Sequence, residues 1–81
     1  MDTLEDELIG KTVMSEEGFF IGVIKSLLVD RNTGGPKSIL VKPSKEIDPQ
    51  RYELDEQGDI IFPSDSISIV KDIVVVEKSL F

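Results

Sequence analysis

The chain has 81 residues, enough for one domain and too few for two, and carries a formal net charge of −7 at pH 7. It contains no Ala, His, Cys or Trp, whereas Ile and Val together number 18. These features argue against a helical fold, a disulfide framework and a thiolate metal site. The 9 Lys and Arg residues are scattered, which argues against a nucleic-acid-binding stripe.

The first seven residues are acidic and predict a flexible N-terminal segment, with the folded domain spanning residues 8–77 and a short tail at 78–81. An acidic start without an apolar run leads us to expect no signal peptide, and no apolar stretch approaches the ~20 residues of a membrane span. We therefore expect a cytoplasmic protein without direct membrane insertion. Short strands separated by turns are predicted in the order 10–14, 19–30, 37–42, 51–54, 59–62, 68–70 and 73–76.

The segment 19–30 is the longest predicted strand, and its apolar residues do not alternate cleanly. If Ile21, Ile24, Leu27 and Val29 point inward, two of the three spacings are three residues instead of two, which indicates a β-bulge or bend. Gly22 supports a kink or a close backbone approach at this place. Strongly curved strands of this kind allow a small sheet to close into a barrel.

The second half of the chain predicts two hairpins joined by a short helical turn. The first pairs 51–54 with 59–62 around the turn 55–58, and the second pairs 68–70 with 73–76 around Lys71 and Asp72. Between them, Ser64 or Asp65 is positioned to cap a helical turn. The sequence therefore predicts an all-β fold, a small closed barrel of about six strands with one short helical turn.

Three stretches of the sequence resemble the PRC-barrel family. They are an opening Leu-Ile-Gly-Lys-Thr-Val at 8–13, a Gly-Phe-Phe-Ile-Gly-Val-Ile core at 18–24 with Leu-Val-Asp and Thr-Gly after it, and a closing Ile-Phe-Pro-Ser-Asp-Ser-Ile at 61–67 followed by 70–75. The resemblance covers nearly the whole of 8–77. Ser26 and Lys71 depart from it, because many members have an acidic residue and a Gly at these positions.

The resemblance implies a protein-binding adaptor. The photosynthetic reaction-centre H subunit has a membrane helix, and the ribosome-maturation factor RimM has a second domain before its barrel. We expect neither feature here, so the resemblance points to the small stand-alone members. Archaeal proteins of that type act in cell division with SepF, the membrane anchor of the tubulin-like FtsZ, and can form dimers. The implied partners are SepF or another PRC-barrel protein, with recruitment to a membrane-associated division site. The alternative is a RimM-like ribosome-maturation factor that binds a ribosomal protein.

Neither a catalytic site nor a cofactor site is predicted. Without His and Cys, the Ser hydroxyls lack an obvious base. The acidic segment 55–59 lacks the twelve-residue spacing of a Ca²⁺ loop, and 34–37 lacks the Gly spacing of a phosphate loop. A small-molecule sensor is disfavoured because side chains fill a barrel of this size.

An apolar surplus on the outside of the barrel predicts the partner interface. With the inward assignment above, and with Ile73 and Val75 also inward, several apolar side chains face outward. The predicted interface residues are Phe20, Val23, Leu28, Leu40, Val74 and Val76. We expect this interface to form a homodimer. The alternative is that these residues form a second small core beneath the N-terminal segment or the 43–49 loop. Leu80 and Phe81 form an apolar tail that could also dock onto a partner.

Overall fold

A computed structural model describes residues 7–77 of the chain as a single curled antiparallel and parallel sheet. The predicted N-terminal segment up to residue 6 and the tail at 78–81, with Leu80 and Phe81, lie outside the described residues. The strands are β1 (Thr12–Ser15), β2 (Phe20–Val29), β3 (Pro36–Pro43), β4 (Ile60–Pro63), β5 (Ile67–Val70) and β6 (Ile73–Val76). Two 3₁₀ turns, Pro49–Arg51 and Ser64–Ser66, complete the architecture.

The six strands lie in the order β4-β3-β2-β1-β6-β5. All neighbours are antiparallel except β1 and β6, which run parallel. The sheet curls into a half-barrel, and the Ser64–Ser66 turn carries the chain from one edge strand, β4, to the other, β5. The predicted all-β, six-stranded fold is confirmed, and within residues 7–77 the two edges are joined by this turn and not by a strand ladder.

The curvature begins in β2, as the irregular spacing of its apolar residues predicted. Its register against β3 shifts between Ile24 and Ser26, which leaves Lys25 as the extra residue of a bulge, and shifts again between Leu28 and Val29. Ile21, Ile24 and Leu27 are buried as predicted. Val29 was wrongly assigned to the inside and is 55% exposed, because the second register shift and the end of the strand remove it from the core.

Gly22 lets β2 and β3 approach more closely than a side chain would allow. A Cβ atom built at this position would collide with the backbone carbonyl of Lys42. The main chain of a paired strand cannot move aside as a flexible side chain can. The predicted close backbone approach is therefore confirmed, and this position requires Gly.

One apolar cluster fills the inside of the half-barrel. Its members come from all parts of the chain and are Leu8, Val13, Ile21, Ile24, Leu27, Ile39, Val41, Ile60, Phe62, Val74 and Val76. Tyr52 packs on the rim of this cluster, its ring edge-on to Phe62 at a centroid distance of 5.8 Å. The cluster forms one continuous hydrophobic core on the concave side of the sheet.

The segment after β3 corrects two predictions. Arg51 belongs to a 3₁₀ turn capped by Asp48, and Leu54 forms only an isolated bridge to Ile60, so the predicted hairpin shrinks to a short contact while β4 pairs with β3. Neither Ser64 nor Asp65 caps the second turn, whose N-cap is Pro63 without a side-chain hydrogen bond. The turn residues show where the segments begin and end, but packing in the core determines which strand β4 pairs with.

The hairpin of β5 and β6 is formed as predicted around Lys71 and Asp72. Lys71 has a φ of 58°, the only positive φ of a non-glycine residue among those described. A side chain in this left-handed region costs about 1–2 kcal/mol relative to the right-handed region. The Gly of many PRC-barrel sequences at this position would avoid that cost.

A buried carboxylate is held by the bulge residue of β2. The Lys25 Nζ donates to Asp59 Oδ2 at 2.8 Å and to Gln57 Oε1 at 2.9 Å, and Asp59 is 5% exposed. The backbone N–H of Asp59 also donates to Asp55 Oδ1. The hydrogen bond to Asp59 raises the pKa of Lys25 above its ordinary 10.5. The bulge thus ties the turn at 55–59 to the centre of the sheet.

We predict that Gly22→Ala lowers the free energy of unfolding by about 3 kcal/mol, because the added methyl group overpacks a backbone contact. Gly35→Ala is the matched control, since its Cβ would make only an ordinary contact with Thr33 Oγ1 at 3.5 Å. Urea unfolding followed by far-UV circular dichroism measures both variants. Equal midpoints for the two variants would contradict the assignment of a close approach at Gly22.

We also predict a pH-dependent effect of Lys25→Met. Because the folded pKa of Lys25 lies above its unfolded value, the Lys25 contribution to stability is fully present below about pH 10 and is lost as pH rises through the folded pKa. The difference in unfolding free energy between wild type and Lys25→Met should therefore be larger at pH 8 than above pH 11. Lys45→Met, in an exposed loop, should show no such change, and an unchanged Lys25→Met difference would contradict the prediction.

Candidate functional site: the outer face of the sheet

The convex side of the sheet presents apolar side chains across four neighbouring strands. The register pairs Val70 with Ile73, Ile73 with Thr12 and Thr12 with Val23, so that these side chains form one row across β5, β6, β1 and β2. Residues directly opposite in paired strands point to the same face. Val70, Ile73 and Val23 are 55%, 41% and 37% exposed.

A second row runs beside the first, because side chains two residues apart along a strand share a face. It pairs Val75 with Met14 and Met14 with Phe20, and all three side chains are half-buried. We call the apolar residues of the two rows the outer apolar face, which consists of Met14, Phe20, Val23, Val70, Ile73 and Val75. Contiguous apolar surface of this kind on a small domain is typical of an interaction site.

Charged groups border the outer apolar face. Lys42 lies opposite Val23 at one end of the first row. At the other side, Lys11 Nζ lies 3.7 Å from Asp72 Oδ1, and the Asp72 side chain is almost fully exposed. A surface pair of this kind contributes little to stability. The border therefore combines both signs of charge around an apolar centre, as protein interfaces commonly do.

The predicted interface residues fall into three groups. Phe20 and Val23 belong to the outer apolar face. Leu28 and Leu40 also lie on the convex side, opposite Ser38 and Ser26, but outside the two rows: Leu28 is near the end of β2 and Leu40 near the middle of β3. Their role at an interface stays a prediction.

The orientation of Val74 and Val76 was predicted wrongly. Both side chains are buried, whereas Ile73 is exposed. Four consecutive β-branched residues at 73–76 give no alternation from which to choose the inward pair. The parallel pairing of β6 with β1 decides it, since it places Val74 beside the core residue Val13.

The same ambiguity explains why Val70 and Ile73 were not among the predicted interface residues. The two-residue turn at Lys71 and Asp72 already implied that Val70 and Ile73 face each other across the hairpin. It did not say which side of the sheet they occupy. The burial of Val74 shows which side this is, and it places the exposed residues Val70 and Ile73 on the outer apolar face.

Two depressions complete the surface. One groove of about 290 Å³ is lined by Leu8, Pro36, Ile39, Ser64, Ile67 and Ile69, between β3 and the edge strand β5. A second hollow of about 270 Å³ has Phe19 and Tyr52 with charged neighbours in its walls. Within residues 7–77 no three His, Cys, Asp or Glu side chains gather as a metal site would require, and none of the described helical segments could cross a membrane.

Comparison with known proteins agrees with the motifs quoted above. A family model for the PRC-barrel domain matches residues 5–79 of the 81-residue chain. The comparison with curated proteins found no match.

We predict that the same substitution destabilises the two sides of the β5–β6 hairpin to different extents. Val74→Thr places a hydroxyl in the core and should lower the free energy of unfolding by about 1–3 kcal/mol. Val70→Thr, in the same hairpin but exposed, should change it by less than about 0.5 kcal/mol. Urea unfolding measures both, and a larger loss for Val70→Thr would contradict the orientation of the outer apolar face.

Proposed function

Because the chain belongs to the PRC-barrel family, we propose that it is a non-catalytic adaptor that binds other proteins through its outer apolar face. The observation that carries this proposal is the outer apolar face, in which Val70, Ile73 and Val23 are exposed on β5, β6 and β2. Two observations support the same function: the family consists of interaction domains, and no other part of residues 7–77 covers the apolar face of the sheet.

The energetics of the face favour a protein partner. Burying Val23, Val70 and Ile73 against a partner would contribute on the order of 2–5 kcal/mol before the costs of association, given that all three are only partly exposed. The net charge of −7 disfavours nucleic acid and anionic lipid as alternative binding partners. The proposed partner therefore presents a complementary apolar patch with few acidic residues around it.

The finer proposal is a component of an archaeal cell-division assembly. It rests on the resemblance of the sequence to the PRC-barrel family, of which small archaeal members act with SepF and FtsZ. In this role the domain would link SepF, or another PRC-barrel protein, to a second copy of itself. Recruitment from the cytoplasm to the division site would then follow through the partner.

The proposal predicts that Val23→Asp removes partner binding while leaving the fold intact. The substitution puts a charge into the outer apolar face, where a partner would have to desolvate it. Val29→Asp is the matched control, because Val29 is at least as exposed but lies outside the face. Immobilised wild type and both variants are incubated with extract from the source organism, and the retained proteins are quantified by mass spectrometry.

We expect SepF or a PRC-barrel protein to be retained by wild type and Val29→Asp and to be depleted about tenfold or more on Val23→Asp. Retention of ribosomal proteins in that pattern would replace the cell-division proposal with ribosome maturation. If no retained protein depends on Val23, the outer apolar face is not the docking surface. Circular dichroism establishes that both variants are folded.

A further inference from the structure

The strand β5 is an edge whose outer side has no neighbour among residues 7–77. Its only paired strand is β6. The opposite edge differs, because the segment before β4 partly covers it through the Leu54 to Ile60 bridge and through the Ile61 N–H, which donates to the Glu53 carbonyl at 2.8 Å. The described sheet therefore has one open edge, at β5.

The hydrogen-bond pattern shows which backbone groups point outward from this edge. The Glu77 N–H donates to the Ser66 carbonyl at 2.9 Å, which continues the β5–β6 register and marks these two residues as a hydrogen-bonded pair. Such pairs alternate along an antiparallel ladder. Ser68 and Val70 therefore face β6, and Ile67 and Ile69 direct their N–H and C=O groups away from the sheet.

The edge also lacks the features that usually block pairing. Ile67–Val70 contains no charged residue and no Pro, and three of its four residues are β-branched and apolar. Ile69 is 52% exposed. Edge strands of proteins that stay unpaired are commonly protected by Lys, Pro or a bulge. A strand from another chain can therefore pair with β5.

We infer that β5 pairs with β5 of a second copy, antiparallel and around a two-fold axis at Ser68. This deepens the proposed homodimer and rests on it. In this register Ile67 lies opposite Ile69 of the second copy, so the outward-pointing backbone groups of both strands form four N–H···O=C bonds. Opposite residues also share a face, as a continuous sheet requires.

The number of backbone hydrogen bonds selects this register over its neighbours. With Ser68 on the axis, Ile67 and Ile69 of each copy, whose N–H and C=O groups point outward, are both paired within the strands. With Ile69 on the axis, Ile67 lies opposite Lys71, which belongs to the turn after β5, so only the two bonds between the Ile69 residues form within the strands. Two copies that each carry −7 repel one another at a distance, so the register with more bonds is favoured.

The groove beside β5 extends the contact beyond the backbone. Ile67 and Ile69 lie on the inner side of the strand, opposite the buried Val76 and Val74, and both line the groove of about 290 Å³. In the paired state Ile69 of the second copy lies next to Ile67 and covers part of this groove. Four backbone bonds with two such contacts make a small interface, so the dimer is expected to be reversible.

Sedimentation velocity of the full chain at high micromolar concentration tests the inference. Wild type should sediment as a dimer. Ile69→Pro should weaken dimerisation by about a hundredfold, since it removes one outward N–H from each copy, while the monomer keeps its fold because that N–H does not bond to β6. Ile69→Val retains the N–H and is the matched control.

A monomeric wild type would overturn the inference and the homodimer, while the adaptor proposal remains testable through Val23→Asp. A dimer that persists in Ile69→Pro but dissociates in Val23→Asp would overturn only the β5 contact.

Discussion

The curvature of β2 is the constraint on which the structure depends. This ten-residue strand is hydrogen-bonded on both sides, to β1 and to β3, and a bulge at Lys25 bends it. Three residues earlier, Gly22 permits the close approach of the Lys42 carbonyl. Without this curvature a sheet of six short strands would be flat, and its inner residues from β3 and β6 would not meet in one core.

A single curled sheet has a consequence for its surface. The same β-branched residues that favour strands must supply both the buried inner side and part of the convex side. With no helix or second sheet over the convex side of the described residues, apolar groups such as Val70 and Ile73 stay exposed. Charges in the turns and loops keep such a domain soluble. An exposed apolar face is therefore a consequence of a fold that consists of a single sheet.

The two proposed contacts are compatible with each other. Pairing at β5 would extend the sheet across the two-fold axis and would bring the outer apolar faces of both copies onto one continuous convex surface. A partner with two apolar patches would then bind both copies, and its affinity would gain from the high local concentration of the second site. Such an arrangement suits an adaptor that organises an assembly.

Local spacing and turn chemistry were enough to predict the all-β class, the curved strand with its bulge and close approach at Gly22, and the final hairpin. The family was recognised from its motifs, and the outward side of Phe20 and Val23 was also predictable. The side of Val74 and Val76, the partner of β4 and the open edge at β5 depend on how the strands pack together. The physical reason is that a run such as 73–76 has no alternation, so its inward side is chosen by the neighbouring strand, here by the packing of Val74 beside Val13.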